Sequence, residues 1–360
     1  MSDYSEIKGT TISTVASDPA NPVNGQLWYN STSGDLKQAE TTSAAWSSGG
    51  NMGAAIYQHA GFGTQTAAVI AGGTTYLAYV YRPNTEEYDG TSWTAGGNLS
   101  TGRRFSSGAG TLTSGLVVGG TNGTNGQGGM GTPTTSTEEY DGTSWTAGGT
   151  ITLEDTGTGA ATPRATGASQ TSAIAVGGDD DSGGPGVYLT SDNTQHYDGT
   201  SWTAGGNLST GRKYHQVMGT ENDGLAAGGG TGFYSSDAIT STEEYDGTSW
   251  SSGGNLNDYK RFNAESGISS SSGAWTGGAA DANNSGGPTD GAIETYNGTS
   301  WSVGPAMSQL RGNAAGAGNY AAGLAAGGTV FASDGAGGYI TGNTATSEEL
   351  TGGGTSIRTI

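Results

Sequence analysis

The sequence YDGTSW, at Tyr140–Trp145, decides the fold of this chain because it recurs along most of its length. Further copies lie at Tyr88–Trp93, Tyr197–Trp202 and Tyr245–Trp250, and the variant YNGTSW lies at Tyr296–Trp301. Trp46, followed by the same kind of short glycine-rich stretch, adds a sixth tryptophan, and successive tryptophans are 47, 52, 57, 48 and 51 residues apart. A period of about 50 residues matches a unit of four β-strands rather than a helical repeat.

A second repeated feature lies between the tryptophans, where a run of small apolar residues ends in two glycines. It occurs six times, ending at Gly73, Gly120, Gly178, Gly229, Gly278 and Gly328. Small side chains suit strands that converge on a common axis, and a glycine pair lets the backbone turn sharply or be approached closely.

The segment between Trp93 and Trp145 predicts the order of the strands. A first strand is expected near Arg104–Gly108, a second near Gly115–Val118, a third at Glu138–Tyr140 and a fourth around Trp145. The dipeptide Asp141-Gly142 predicts a tight hairpin turn between the last two. A glycine-pair strand, then tyrosine, then tryptophan is the order that resembles kelch repeats. The resemblance covers the chain from residue 46 to the end and implies a β-propeller.

Six glycine-pair units predict an all-β fold with six blades in residues 46–360, preceded by an N-terminal extension of residues 1–45. The last repeat is degenerate, with Leu350 at the tyrosine position and Ile357 at the tryptophan position. Trp46 is expected to join the C-terminal blade and to close the ring. Seven blades remain the alternative, if residues 25–45 contribute strands.

The composition supports a β-rich chain and argues against several functions. Seventy of the 360 residues are glycine, which disfavours helices. Twelve Lys and Arg against 32 Asp and Glu give a net charge of −20, so neither nucleic acid nor membrane insertion is expected. The chain has no cysteine, which excludes disulfides and thiol catalysis. No apolar stretch has the length of a membrane span or an ordinary leader.

Most of the basic residues lie just before the first strand of a predicted blade: Arg103, Arg104, Arg164, Arg212, Lys213, Lys260, Arg261 and Arg311. This placement predicts a ring of cations around one mouth of a central channel, with Arg104, Arg164, Arg212, Arg261 and Arg311 as the candidate binding residues. Glutamate pairs recur on the third strands. Two interpretations remain open: Arg–Glu pairs that tie the blades together, or a site for an anion or an acidic sugar.

Other residue patterns indicate a binding or catalytic role less specifically. The repeated Tyr and Trp are interpreted as packing between blades, with a sugar-stacking platform as the alternative. Asp179–Asp181 could supply calcium ligands but lack the spacing of a calcium loop, so a solvated loop is favoured. His59, His196 and His215 do not have the spacing of a metal-ligand pair. We therefore expect no enzymatic activity, no metal and no cofactor.

The N-terminal segment NPVNGQLWYNSTSGDLK, at Asn21–Lys37, predicts a strand at Gln26–Asn30, a turn and a second short strand. It resembles a segment found in virion proteins of tailed phages, often marine phages, and the resemblance depends chiefly on the run Gly25–Asn30. It implies an adaptable arm that attaches the protein to other virion proteins, with Gln26, Leu27, Trp28 and Tyr29 as the attachment residues. The near-identical blades also resemble phage and marine-microbial kelch proteins.

The predicted connections between strands differ in variability. The turns between third and fourth strands are nearly constant, whereas the connections from second to third strands vary in length and sequence, as at Thr121–Thr137 and Asp179–Thr194. Loops of this kind suit recognition. The aromatic residues in them are candidates for binding a host-surface glycan: Tyr188, Phe233, Tyr234 and Tyr339.

Two function classes follow. The first is a phage virion structural protein, either a tail fibre or appendage subunit or a capsid decoration, assembled in the host cytoplasm. Its expected partners are other virion proteins, a host-surface glycan and further copies of the same chain. The alternative is a free carbohydrate-binding kelch protein of a bacterium. The first is favoured because no leader, catalytic site or fused enzyme domain is evident.

Overall fold

The structure is a computed structural model that describes residues 12–19, 24–75, 80–123, 132–152, 163–180, 189–232, 237–261, 264–266, 274–277, 292–333 and 339–360. These residues form strands and turns, and none of them lies in an α-helix. The chain divides into two compact units. The repeat unit is Trp46–Thr351, and the terminal unit combines the residues up to Ala45 with Gly352–Ile360.

The repeat unit contains six four-stranded antiparallel sheets, and each has its strands in the order in which the repeat supplies them. The first three sheets are β5 (Ala60–Thr64), β6 (Ala67–Ala71), β7 (Thr85–Tyr88) and β8 (Trp93–Ala95); β10 (Ser107–Thr111), β11 (Ser114–Val118), β14 (Thr137–Tyr140) and β15 (Trp145–Ala147); and β16 (Arg164–Ser169), β17 (Ser172–Val176), β20 (Thr194–Tyr197) and β21 (Trp202–Ala204). The other three are β22 (Gln216–Thr220), β23 (Asp223–Ala227), β24 (Thr242–Tyr245) and β25 (Trp250–Ser252); β26 (Ala264–Ser266), β27 (Ala274–Gly277), β28 (Ala292–Tyr296) and β29 (Trp301–Ala306); and β31 (Ala315–Gly318), β32 (Ala322–Ala326), β35 (Ser347–Thr351) and β4 (Ala45–Ser48).

Short extra strands form in the connections of the repeat unit: β9 (Arg103–Arg104), β12 (Thr121–Asn122), β13 (Thr132–Pro133), β18 (Asp179–Asp180), β19 (Leu189–Thr190), β30 (Leu310–Gly312), β33 (Thr329–Ser333) and β34 (Tyr339–Asn343). In the second sheet, β12 and β13 form a hairpin that pairs with β9, the segment leading into β10. In the sixth sheet, β33 and β34 pair in the same way with β30. In these two connections the described strands therefore pair at the end of the sheets where the first strands begin.

The terminal unit is a separate four-stranded sheet of β1 (Ser13–Val15), β2 (Leu27–Asn30), β3 (Asp35–Thr42) and β36 (Gly354–Thr359). The prediction that Ile357 occupies the tryptophan position of the last repeat is wrong, because β36 pairs along β3 with Ile357 opposite Ala39. Three glycines after β35 let the chain leave the sixth sheet, and the long edge of β3 offers it hydrogen bonds. The predicted repeat domain therefore ends at Thr351 rather than at residue 360.

The sixth sheet confirms that Trp46 joins the sheet formed by the C-terminal part of the repeat unit, since β4 is its outer strand. Leu350 lies opposite Gly323, as Tyr140 lies opposite Gly115 in the second sheet, so its position in the repeat is also as predicted. The sixth sheet thus combines three strands from the C-terminal part of the repeat unit with one from its start.

Two backbone features explain the glycine pairs and the true start of the first strands. In five of the glycine pairs both glycines have left-handed φ angles, for example 65° and 89° at Gly119 and Gly120, which a residue with a side chain adopts only with strain. The first strand of the second sheet begins at Ser107 rather than near Arg104, because Phe105 has a φ of 57° and interrupts the extended backbone.

The DGTS turns are four-residue loops closed by their first side chain. The Asp141 carboxylate accepts hydrogen bonds of 2.8 Å from the backbone amides of both Thr143 and Ser144. These bonds lower the pKa of Asp141. In the fifth copy Asn297 accepts the equivalent bonds from Thr299 and Ser300 at 3.0 and 2.9 Å. The hairpin predicted from Asp-Gly is present, and the acceptor oxygen explains why Asn can replace Asp there.

The repeated aromatics join neighbouring sheets. The Tyr197 hydroxyl donates to Glu139 of the preceding sheet at 2.6 Å, and the Gly149 amide donates to the same hydroxyl at 3.0 Å. Burial and the bond to Glu139 raise the pKa of Tyr197 to about 12, so the hydroxyl remains a donor. The Trp202 indole donates to Gly149, and its ring centroid lies 4.7 Å from that of Tyr197. The interpretation of these aromatics as packing between sheets is confirmed.

Candidate functional site

A cavity runs along the first strands of the sheets. Its volume is about 330 Å³, and it is lined by residues of β5, β10, β16, β22 and β31. Small side chains on these strands leave the space open. At the end where these strands begin, the cavity meets a pocket of about 30 Å³, which we call the mouth; it is lined by Gln58, His59, Phe105, Ser106, Arg164, Tyr214, Asn313 and Ala314.

The rim of the mouth consists of four residues at equivalent positions, each two residues before a first strand. Gln58, Phe105, Tyr214 and Asn313 have φ angles of 58°, 57°, 56° and 55°. Left-handed backbone is strained for non-glycine residues, above all for aromatic ones, and such strain concentrates at ligand-binding sites. Backbone hydrogen bonds across the sheets hold this geometry, because the Gln58 amide donates to Asn313 at 3.0 Å and the Phe105 amide to Gln58 at 2.9 Å.

Cations stack on the aromatic residues beside the mouth. The Arg104 guanidinium lies 4.9 Å from the ring centroid of Tyr81 and 5.1 Å from that of Phe105. The Arg261 guanidinium lies 5.2 Å from the ring of Tyr214. Of the predicted ring of cations, Arg104 and Arg261 therefore lie beside the rim, although both are at most 4 % exposed.

Two other predicted binding residues, Arg212 and Arg311, have a structural role instead. They are buried in ion pairs with Glu243 and Glu348, at 2.5 and 2.6 Å. Arg103 forms the equivalent buried pair with Glu138. Burial lowers the pKa of each guanidinium, and the partner glutamate opposes that shift. For these three arginines the predicted Arg–Glu pairing is confirmed. Each pair lies within one sheet, between the segment that enters its first strand and its third strand, so the expectation that the pairs tie neighbouring blades together is wrong.

Each pair secures the segment that enters a sheet. Arg212 also donates to the backbone oxygen of Ser241 at 2.9 Å, and the second oxygen of Glu243 accepts from the Ser209 amide at 2.8 Å. The first sheet has the apolar, buried Ile56 where the second, fourth and sixth sheets have the paired arginine, and there Glu86 is only half-buried. The pair thus recurs where both partners are present, and it closes the same set of hydrogen bonds each time.

The third sheet departs from the Tyr–Glu pattern at its third strand. His196 stands where the first, second, fourth and sixth sheets have the second glutamate, and its Nε2 lies 2.7 Å from the Tyr245 hydroxyl. Its Nδ1 lies 2.9 Å from Glu221, which also accepts from Ser172 at 2.7 Å. A carboxylate is thereby supplied from the adjoining turn, and the contact between sheets is kept.

The predicted glycan-binding residues lie mostly outside the described part of the chain. Tyr188, Phe233 and Tyr234 are not among the described residues. Tyr339 begins β34 and pairs with Ser333. Asp179 and Asp180 form β18, and Asp181 lies outside the described residues. Within the described ranges no group of His, Cys, Asp and Glu has the geometry of a metal site, and no helix is long and apolar enough to cross a membrane.

The predicted attachment residues belong to the folded sheet of the terminal unit. Trp28 is fully buried, and its indole donates to Asp18 at 3.0 Å. The same carboxylate accepts from Asn30 at 2.8 Å and Lys37 at 3.1 Å, and these bonds lower the pKa of Asp18. Gln26 and Leu27 are half-buried, whereas Tyr29 is 40 % exposed. The described part of this segment is an ordered sheet rather than the adaptable arm expected, and Tyr29 is its exposed aromatic.

Sequence reasoning missed the rim itself. Gln58 and Asn313 are uncharged, and they share no residue type with Phe105 and Tyr214, so no motif singles them out. The signal that could have found them is their constant offset, since each lies 15 residues before the second glycine of its pair. Their left-handed backbone follows from bonds across sheets, which sequence does not show.

Two buried histidines next to the mouth make the stability of the repeat unit depend on pH. Burial lowers the pKa of His59 to about 4, and burial with the charges of Arg212 and Arg164 lowers the pKa of His215 well below its usual 6.5. Between pH 6.5 and 4 the unfolded chain therefore binds more protons than the folded chain. Stability is fully present above pH 6.5 and is lost as the pH falls, by up to roughly 3 kcal/mol for His59 alone.

We expect the midpoint of thermal unfolding to fall between pH 6.5 and 4, and the fall to be smaller in His59→Gln and His215→Gln. Melting curves of the three proteins at several pH values measure this. His196→Gln is the control, because His196 is partly exposed and lies beside Glu221. An equal fall of the melting temperature with pH in the wild type and in both buried-histidine variants would show that these histidines do not cause it.

Comparison with known proteins supports the fold alone. No family model and no curated protein matches the chain. It is similar to the solved structure entitled "Structure of YjhT", with 13 % sequence identity, a TM-score of 0.56, and coverage of 82 % of this chain and 99 % of that one. YjhT is a kelch-type β-propeller. The repeat unit thus has an all-β, propeller-like fold.

Proposed function

We propose that the repeat unit closes into a ring of six kelch-like blades. The first strands of consecutive sheets contact each other, and β31 of the sixth sheet contacts β5 of the first. The Tyr88 hydroxyl of the first sheet donates to Glu349 of the sixth, as the other repeat tyrosines do to their preceding sheets. The alternative of seven blades is disfavoured because the described residues between 25 and 42 pair within the terminal unit.

We further propose that the protein is a phage virion structural protein, either a tail fibre or appendage subunit or a capsid decoration. The observation that supports this proposal is that the terminal unit folds as a separate sheet. The segment that resembles phage virion proteins forms the centre of a separate small sheet around the buried Trp28, with Tyr29 exposed. A separate folded unit of this kind suits attachment to another virion protein and leaves the ring available for display.

The repeat unit suits display because its recurrent side chains are used in packing. The Tyr–Glu and Trp–Gly contacts join neighbouring sheets, and the Arg–Glu pairs fix the segments that enter them. Two of the variable connections form paired strands at the mouth end. A scaffold with constant internal contacts tolerates variation in its loops. This arrangement supports recognition of a host-surface glycan by the mouth-end loops. The alternative, a free carbohydrate-binding kelch protein of a bacterium, uses the same surface without the virion attachment.

The test removes the terminal unit while keeping the strand that completes the sixth sheet. A chain of residues 45–351 retains β4 and is expected to remain folded, with an unchanged melting transition for the repeat unit. We expect it to be absent from purified virions when it replaces the full chain in infected cells, as measured by mass spectrometry of the particles.

Tyr29→Ser provides the matched point variant, because Tyr29 is exposed and its loss leaves the Trp28 core intact. Reduced incorporation of this variant would locate the contact on the terminal unit. Normal incorporation of the 45–351 chain would show that the repeat unit makes the virion contact. Absence of the full chain from virions would favour the free carbohydrate-binding protein.

A further inference from the structure

The first residue of β16 differs from the first residues of the other first strands. In the first, second, fourth and sixth sheets this position, opposite the last residue of the second strand, holds Ala60, Ser107, Gln216 and Ala315. In the third sheet it holds Arg164, opposite Val176. Arg164 lines both the cavity and the mouth. Its Nε donates to the backbone oxygen of His215 at 3.1 Å, which holds the guanidinium in place.

Arg164 is partly buried, and its charge is not neutralised as the charges of the buried arginines are. Arg103, Arg212 and Arg311 each meet a glutamate. Among the described residues Arg164 forms no ion pair, and its recorded partner is a neutral backbone oxygen. A guanidinium with free N–H donors in a concave site can bind a carboxylate through two parallel hydrogen bonds.

Among the described residues, a buried hydroxyl beside Arg164 lacks a hydrogen-bond partner. Ser106 is 2 % exposed and its hydroxyl has no hydrogen bond within the described structure, yet Ser106 lines both the cavity and the mouth. His59 is 5 % exposed and lines the same two spaces. Leaving a buried donor or acceptor unsatisfied costs about 1–3 kcal/mol, so a ligand that supplies partners here is favoured.

The rim adds neutral polar groups and ring faces. The amides of Gln58 and Asn313 and the rings of Phe105 and Tyr214 surround the opening. Side-chain amides donate to and accept from hydroxyl groups, and the rings offer apolar faces. A cavity of about 330 Å³ is at the small end of ligand sites, which fits a molecule of monosaccharide size. The net charge of −20 disfavours a polyanion.

We propose that the mouth binds a sugar acid of monosaccharide size, a uronic acid, with Arg164 holding its carboxylate and Ser106 donating to one of its oxygens. Gln58 and Asn313 contact its hydroxyl groups at the rim. This site goes beyond the proposed virion role, since a free protein and a virion subunit would both carry it. Its test therefore stands apart from the incorporation experiment.

The experiment is isothermal titration calorimetry of the full chain with sodium glucuronate and sodium galacturonate. Glucose probes the neutral ring, and sodium acetate and inorganic phosphate probe the bare anion. We expect a uronate to bind, and the other three probes to bind at least about tenfold more weakly, the equivalent of one charge-assisted hydrogen bond. Equal binding of glucose or of acetate, or no binding of either uronate, would overturn the proposal.

Variants locate the site. Arg164→Gln is expected to weaken uronate binding about tenfold or more, and Arg82→Gln, which removes the same charge away from the cavity, to leave it unchanged. Ser106→Ala should weaken binding without lowering the melting temperature, because it deletes a hydroxyl that has no partner in the free protein. This variant keeps the proposal testable should Arg164→Gln fail to fold. Undiminished uronate binding in Ser106→Ala and in folded Arg164→Gln would place the ligand elsewhere.

Discussion

Replacing Glu243 with glutamine is expected to destabilise the repeat unit by about 3–5 kcal/mol, the cost of removing one partner of a buried ion pair. Arg212 and Glu243 are both nearly fully buried, with side chains 1 % and 4 % exposed, and their nitrogen and oxygen lie 2.5 Å apart. Without the carboxylate, the Arg212 charge stays in a medium of low polarity with only the neutral oxygens of Gly228 and Ser241 as recorded partners. Denaturant unfolding of the full chain measures the loss, followed through the transition of the repeat unit.

Glu86→Gln is the matched control, because Glu86 occupies the same position in the first sheet. It is half-buried, accepts from the Gly53 amide at 2.7 Å, and has the apolar Ile56 in place of an arginine. We expect this variant to lose less than about 1 kcal/mol, since glutamine can still accept the hydrogen bond. A double change of Arg212 and Glu243 to methionine should recover much of the stability. Similar losses at Glu86 and Glu243 would show that the buried charge of Arg212 is not the cause.

Replacing Trp145 with alanine is expected to cost about 3–5 kcal/mol, the range for deleting a large core aromatic. The Trp145 ring lies 4.6 Å from Tyr140 and 6.3 Å from Phe62 of the preceding sheet. Its indole N–H donates at 2.9 Å both to the Gly97 oxygen and to the Thr85 hydroxyl. The deletion therefore removes ring packing and leaves two acceptors of the first sheet without their donor.

Trp145→Phe separates these two contributions. It keeps most of the ring and loses the N–H, so we expect a smaller loss, of about 1–2 kcal/mol. Thermal unfolding monitored by circular dichroism measures both variants. An unchanged unfolding transition in Trp145→Ala would mean that the Trp145 side chain does not join the sheets. It would favour the interpretation of the repeated aromatic residues as a sugar-stacking platform.

The parts of the fold that the sequence predicted are those that recur with the period of the repeat. The aromatic and glycine-pair positions located the second, third and fourth strands of the sheets, and the early tryptophan predicted that β4 would complete the sixth sheet. Side chains that pack in the same way in every sheet require the same residue type at the same position of every repeat. The pairing of Ile357 with β3 was missed because it occurs once, between distant segments with no periodic pattern.

The candidate site was predicted only in part, because neighbouring basic residues look alike in sequence. Arg103 and Arg104 both precede the second sheet, and both were candidates for one ring of cations. In β9 they are successive residues of a strand, so their side chains point to opposite sides. Arg103 reaches the buried Glu138, whereas Arg104 lies over Tyr81 and Phe105 beside the mouth.

The sequence by itself determined the all-β class, the length and order of the repeat, and the use of tyrosine, tryptophan and glycine between sheets, since each of these depends on contacts that every repeat makes. Only the tertiary structure decided which cations are neutralised and which face the mouth. That outcome depends on strand direction, on left-handed residues such as Phe105 that are held by hydrogen bonds from neighbouring sheets, and on which side chains meet across the cavity. Arg164 and Ser106 are far apart in the chain, and the convergence of the first strands is what brings them into one pocket.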